Sequence, residues 1–257
     1  MPVAEEHMVR GSKTRINAHD RLIFALDVSS IERAKALVSA LDGVVSFFKI
    51  GLELSMVEGV FDLIPQLTRA GKRVFLDLKY YDVPETVERA VRNVAGLGVS
   101  FLTVHGNGNI VKAAAEGRGD ADLKLLTVTV LTSLDNDDMR DLGFKNVAVK
   151  DLVMHRAKKA LEAGCDGVIA SVKEAGDIRA MARAMDNKFL IVTPGIRTSR
   201  SHRDDHKRIG TPSDAIKAGA DFLVVGRPIR DAADPRKEAE EIVAEMQAAF
   251  DSLTDGQ

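Results

Sequence analysis

Eight short apolar runs punctuate the chain, and within them polar residues do not alternate with apolar ones. They are RLIFALD (21–27), VVSFFKI (44–50), RVFLDLK (73–79), SFLTVH (100–105), LKLLTVTVL (123–131), GVIAS (167–171), KFLIVT (188–193) and DFLVVG (221–226). A strand with one face in water alternates. A strand covered on both faces reads as a continuous apolar run, as in a parallel sheet with helices outside. Helical patterns lie between the runs. SSIERAKALVSALDG opens on serines suited to capping, carries apolar residues at 31, 34, 37, 38 and 41, and closes on Gly43. Residues 84–96, 106–117, 146–163, 211–218 and 234–250 behave similarly. In AGCDG and AGADF a glycine closes a helix and turns the chain into the next strand. Eight strand–helix units in 257 residues predict a single-domain α/β protein, a TIM (β/α)8 barrel over residues 19–252, with residues 1–18 as an N-terminal extension. A doubly wound open sheet is the runner-up, because periodicity counts strands better than it closes them.

Composition narrows the function classes. A formal net charge of -2 gives no broad basic field for nucleic acid, and two tyrosines with no tryptophan offer no stacking surface. No stretch is long and apolar enough to predict a membrane span, and the acid-containing start does not read as a secretory signal, so the expected compartment is the cytoplasm. Cys165, the only cysteine, sits in the apolar setting EAGCDGVIA and is expected to be a buried structural thiol.

A barrel gives strand ends a meaning, because the C-terminal ends and the loops after them form the active face. Asp27, Lys49, Asp77, Lys79 and His105 all stand there. The densest case is FLDLKYYDVPETV, 75–87. Residues two apart on a strand share a side, so Asp77 and Lys79 face the barrel axis near its mouth while Leu76 and Leu78 face the helices. Asp82 follows after a short turn, within reach of the same mouth or of a neighbouring subunit. Lys49 approaches from the second strand. Buried charges are costly unless paired, and alternating acids and lysines keep each other ionised. Such an array is a poor Schiff-base former and a good stabiliser and protonator of a carbanion. The competing uses are a structural salt-bridge cluster, or a magnesium site on Asp27, Asp77 and Asp82 with which the lysines would compete.

The seventh and eighth strands lead to an anion-binding end. VTPGIRTSRSHRDDHKRIGTP, 192–212, is the longest polar connection and is rich in basic residues. It is either a loop that orders over an anionic ligand or a solvated surface loop. In VVGRPIRDA, 224–232, Arg227 offers a fork to a phosphate where barrels often bind one. Thr132 and Ser133 close the fifth strand, available to read a ring edge or to cap the following segment. His105, in HGNGN, is expected to be structural rather than catalytic.

Together these residues resemble the orotidine 5′-phosphate decarboxylase family. Its hallmark Asp-x-Lys-x-x-Asp-(Ile/Val)-Pro stands here as DLKYYDVP, and ALDV (25–28), FKIG (48–51), TVTVLTS (127–133), VTPGIR (192–197), KRIGTP (207–212) and VVGRPI (224–229) extend the likeness over nearly the whole barrel. The resemblance implies removal of CO2 from orotidine 5′-phosphate without metal or organic cofactor, in a homodimer with shared active sites. It implies that Lys49, Asp77, Lys79 and Asp82 form a catalytic tetrad, with Asp82 supplied by the partner subunit. Lys79 would protonate C6 of the pyrimidine, and Asp77 would lie near the departing carboxylate. Asp27 and Lys49 would hold the ribose, helped by Asp82 and Thr86 from across the dimer. Ser133 would contact the pyrimidine edge, Pro194 line the pocket, and Arg227 bind the phosphate. The chain departs from the family pattern at Tyr81 (usually His), Glu85 (usually Asn) and His206 (usually Gln, linking phosphate to the pyrimidine-binding serine). Two other readings stay in view: a metal-dependent sugar-phosphate decarboxylase or aldolase of the same superfamily, which shares the Asp-x-Lys-x-x-Asp core, and a non-catalytic nucleotide-binding barrel.

Overall fold

A computed structural model describes residues 17–198 and 208–255. Eight parallel strands close into a barrel in chain order: β1 (Leu22–Ala25), β2 (Phe47–Ile50), β3 (Arg73–Tyr80), β4 (Phe101–Val104), β5 (Lys124–Val128), β6 (Gly167–Ile169), β7 (Leu190–Thr193) and β8 (Phe222–Val225). The expected strands are all present, and closure decides against the open sheet. Most are shorter than their apolar runs, because residues such as Asp27 and Val130 leave the ladder while staying near the barrel.

The helices are α1 (Ile31–Ala40), α2 (Leu52–Ser55), α3 (Val60–Arg69), α4 (Pro84–Ala95), α5 (Gly108–Arg118), α6 (Asn136–Asp141), α7 (Val149–Glu162), α8 (Val172–Ala184), α9 (Pro212–Lys217), α10 (Arg227–Arg230) and α11 (Pro235–Asp255). Their starts follow local chemistry. The Ser30 side chain accepts from Arg33 N–H, Pro84 and Pro212 occupy first turns, and Thr211 forms a capping box with Asp214. Gly164 and Gly219, at φ +84° and +102°, make the expected left-handed turns into β6 and β8. The apolar spacing did not single out α3 and α8. In α3 an internal Pro65 obscures the pattern, and in α8 small alanines do much of the packing.

Two apolar clusters result. The larger lies between barrel and helices and takes Leu76, with Leu78 packed against it. The smaller fills the barrel with Ile23, Ala25, Phe47, Phe75, Phe101, Leu126, Val192, Phe222 and Val224. At the N-terminal end the rings of Phe47, Phe101 and Phe222 meet edge to face. Arg73 lies over Phe47 at 4.2 Å and Arg21 over Phe222 at 4.8 Å. Ala18 is buried and its N–H donates to Gln247 Oε1 of α11 at 3.0 Å. Cys165 is buried as expected. Its thiol donates to the Leu125 carbonyl at 2.9 Å, and burial pushes its pKa up to about 11. Among the described residues no helix is long and apolar enough to cross a membrane.

Candidate active site

The C-terminal mouth opens into a cavity of about 490 Å³. Seven of the expected residues line it: Asp27, Lys49, Asp77, Lys79, Ser133, Pro194 and Arg227. The charged members form an unbroken row across three strand ends. Lys49 Nζ lies 2.9 Å from Asp27 Oδ1 and 3.6 Å from Asp77 Oδ2. Lys79 Nζ lies 2.9 Å from Asp77 Oδ1. Thr103 of β4 donates to that same Asp77 oxygen at 3.0 Å. Burial works against the charge on Asp77, but Lys49, Lys79 and the hydrogen bonds from Lys79 and Thr103 together outweigh it and hold the carboxyl below the usual range. Asp27 and Asp77 are bridged by the Lys49 ammonium, which occupies the place a metal would need between two carboxylates. Among the described residues no group of three or more His, Cys, Asp and Glu could hold a metal ion.

Two backbone features build the row. Register with β4 runs Leu76↔Leu102 and then Tyr80↔Val104, so β3 spends four residues (76 to 80) where β4 spends two (102 to 104). In this bulge Lys79 takes the left-handed region at φ +51°, costly for a residue with a Cβ, and its N–H donates to Thr103 Oγ1 at 2.9 Å instead of to a ladder carbonyl. The bulge thus aims Lys79 into the mouth. The second feature is Gly51. A Cβ there would stand 2.7 Å from Lys49 Nζ and 3.1 Å from Asp27 Oδ1, so glycine leaves the space in which that ion pair forms.

The rest of the wall mixes the apolar Val128, Val130, Leu131 and Ile169 with Thr132 and Ser133. Asp135, not Thr132 or Ser133, caps α6 through a capping box with Asp138, which leaves the latter two at the cavity. Arg230 lines the cavity but is committed: it donates to the Asp27 carbonyl at 2.8 Å and to both Asp231 oxygens at 2.7 and 2.9 Å. Arg230, Arg197 and Thr103 were not among the expected residues. Thr103 was open to inference, since it stands two residues beyond the inward Phe101. Arg230 stands one helical turn beyond Arg227.

The remaining expected residues lie elsewhere. Asp82 is exposed and outside the cavity lining, its Oδ1 accepting from Val83 N–H at 2.6 Å. Its neighbours Tyr81 and Val83 are 68% and 63% exposed, and Thr86 sits one turn into α4 outside the lining. His105 is outside it too. Its ring and that of Tyr81 meet edge to face at 5.3 Å. His206 lies outside the described residues.

The chain is similar to known proteins over most of its length. Residues 20–242 match the family model described as Orotidine 5′-phosphate decarboxylase / HUMPS family. The chain is 50% identical over 240 residues to an orotidine 5′-phosphate decarboxylase of Nitrobacter winogradskyi, covering 93% of this chain and 98% of the relative. It is 48% identical to that of Methylococcus capsulatus, covering 93% and 97%. Among solved structures, orotidine 5′-phosphate decarboxylase from Lactobacillus acidophilus superposes with a TM-score of 0.75 at 36% identity, covering 88% of this chain and 99% of that one.

Proposed function

The chain belongs to the orotidine 5′-phosphate decarboxylase / HUMPS family, and on that footing we propose how its site turns orotidine 5′-phosphate into uridine 5′-phosphate and CO2, the step of pyrimidine synthesis it carries out. The observation that carries the proposal is the continuous Asp27–Lys49–Asp77–Lys79 row at the barrel mouth. Loss of CO2 leaves carbanion character at C6 of the pyrimidine. Lys79 places a positive charge beside that carbon and then delivers the proton. Charge fixed in advance is worth more to the carbanion-like transition state than to the bound substrate, so it accelerates the step. Asp77 holds Lys79 in place and faces the departing carboxylate. Asp27 and Lys49 grip the ribose hydroxyls, Ser133 the pyrimidine edge and Arg227 the phosphate, while Pro194 shapes the wall. The step draws on no metal or organic cofactor, and the catalytic unit is residues 19–252.

The site is completed in a homodimer. Asp82 does not reach the cavity of its own chain, and it stands between two exposed apolar side chains, Tyr81 and Val83. That arrangement suits a loop that enters a partner's site, with Thr86 behind it. Substrate and product are phosphate monoesters that do not cross a bilayer unaided, which fits a cytoplasmic enzyme.

Turnover of orotidine 5′-phosphate, followed by ultraviolet absorbance with a chelator present, tests the chemistry. Conversion is expected to survive the chelator. A metal-dependent sugar-phosphate enzyme would lose activity, and a binding barrel would hold nucleotide without turning it over. For the dimer, Asp82→Ala and Lys79→Ala, each inactive alone, are expected to regain activity on mixing, because a mixed dimer holds one intact site. No recovery would sink the shared site.

A further inference from the structure

Beyond Val128 the chain leaves the fifth strand's ladder and runs through Thr129, Val130 and Leu131 to Thr132 and Ser133. The carbonyls of the first three are held by side chains. Arg156 Nη1 donates to Thr129 O at 2.5 Å, and Arg208 Nη2 donates to Val130 O and Leu131 O, each at 3.0 Å. Arg208 Nη1 donates to Glu174 Oε1 at 2.8 Å, and the other Glu174 oxygen accepts from Ser171. Arg208, Glu174 and Ser171 are 6%, 4% and 1% exposed. Val130 and Leu131 line the substrate cavity together with Thr132 and Ser133. The chain just after Arg208 is tied to the same rim, since Gly210 bridges Ile196 and accepts from Arg197 N–H at 3.0 Å.

A buried ion pair is a weak source of stability, because desolvating both charges offsets most of their attraction. What this pair supplies is orientation. Glu174 fixes one edge of a planar guanidinium, and the other edge then has a single direction in which to meet two consecutive carbonyls. We propose that Glu174 is a positioning residue for decarboxylation: by orienting Arg208 it sets the Val130–Leu131 backbone and thereby presents Ser133 to the pyrimidine. Neither Glu174 nor Arg208 touches the substrate. The inference rests on the role given above to Ser133.

The test compares Glu174→Gln, Arg208→Lys and each of these combined with Ser133→Ala, reading kcat, KM for orotidine 5′-phosphate, and the thermal midpoint. Arg208→Lys keeps the ion pair but replaces the fork with one nitrogen. In the folded protein each single variant is expected to lower kcat/KM by up to about 10²-fold, as displacement of a positioned contact does, with kcat falling more than KM rises. Combined with Ser133→Ala, either change should add less than about threefold, since both act through one contact. Multiplicative losses would overturn the proposal, as would a lowered thermal midpoint with unchanged kinetics. If Glu174→Gln does not fold, Arg208→Lys decides alone. An inert wild-type enzyme would instead bring down the activity reading, and this inference with it.

Discussion

The two ends of the barrel place cations on the same inner positions and make opposite use of them. Strand β3 spans both, with Arg73, Phe75, Asp77 and Lys79 in sequence along one side. At the floor, Arg73 and Arg21 lie over the phenylalanine rings and close the barrel. At the mouth, Lys49 and Lys79 alternate with Asp27 and Asp77 around an open cavity. A flat, weakly hydrated guanidinium covers an aromatic floor well, whereas a compact ammonium is a point charge that can be aimed. The floor should therefore answer mutation in stability and the mouth in rate.

The sharpest test is Lys79→Ala. Removing the proton donor and the charge beside C6 should lower kcat/KM by about 10⁴-fold or more with little change in thermal midpoint, read by turnover and thermal denaturation. A large loss of stability with modest kinetic damage would break the contrast. Next is Phe47→Ala at the floor, expected to cost about 3–5 kcal/mol in urea denaturation while the folded fraction keeps its turnover. Gly51→Ala probes the mouth more finely. The added methyl must displace Lys49 Nζ, the far end of a flexible side chain, so stability should hold while kcat/KM falls by about 10-fold or more, a displacement effect. A wild-type rate would show that the clearance does not matter.

The smallest effect is in pH. The folded-state pKa of Asp77 is depressed, so its charge contributes stability that is fully present above the unfolded value of about 3.9 and is lost as pH falls through the lower folded value. Asp77→Asn lacks this contribution. Wild type should therefore lose stability relative to the variant only below about pH 4, read as the difference between their denaturant midpoints. A difference that stays flat through that range would remove Asp77 from the paired row.

Much of this was legible in the residues. Continuous apolar runs mark strands covered on both faces, and the two-residue period puts Asp77 on the inner side and Leu76 on the outer. The expected helix starts fall within three residues of the observed ones, the widest gap being at α7. Helices α3 and α8 were harder to see because proline and alanine blur an apolar stripe. Arg197 went unseen because a lining role depends on where a loop returns, which spacing does not encode.

The sequence by itself determined the strand–helix alternation, the inward charges and, through an ordered set of motifs, the chemistry they resemble. Those signals are local, since side-chain direction and helix capping follow from neighbours a few residues away. Only the tertiary structure decided which carboxylate meets which lysine, because the pairing of Asp27 with Lys49 depends on adjacent strands. It alone decided that a bulge turns Lys79 into the mouth, that Gly51 clears space for an ion pair, and that Arg208 spans from Glu174 to two distant carbonyls. Each of these joins segments brought together by barrel closure, and closure is a property of the whole chain.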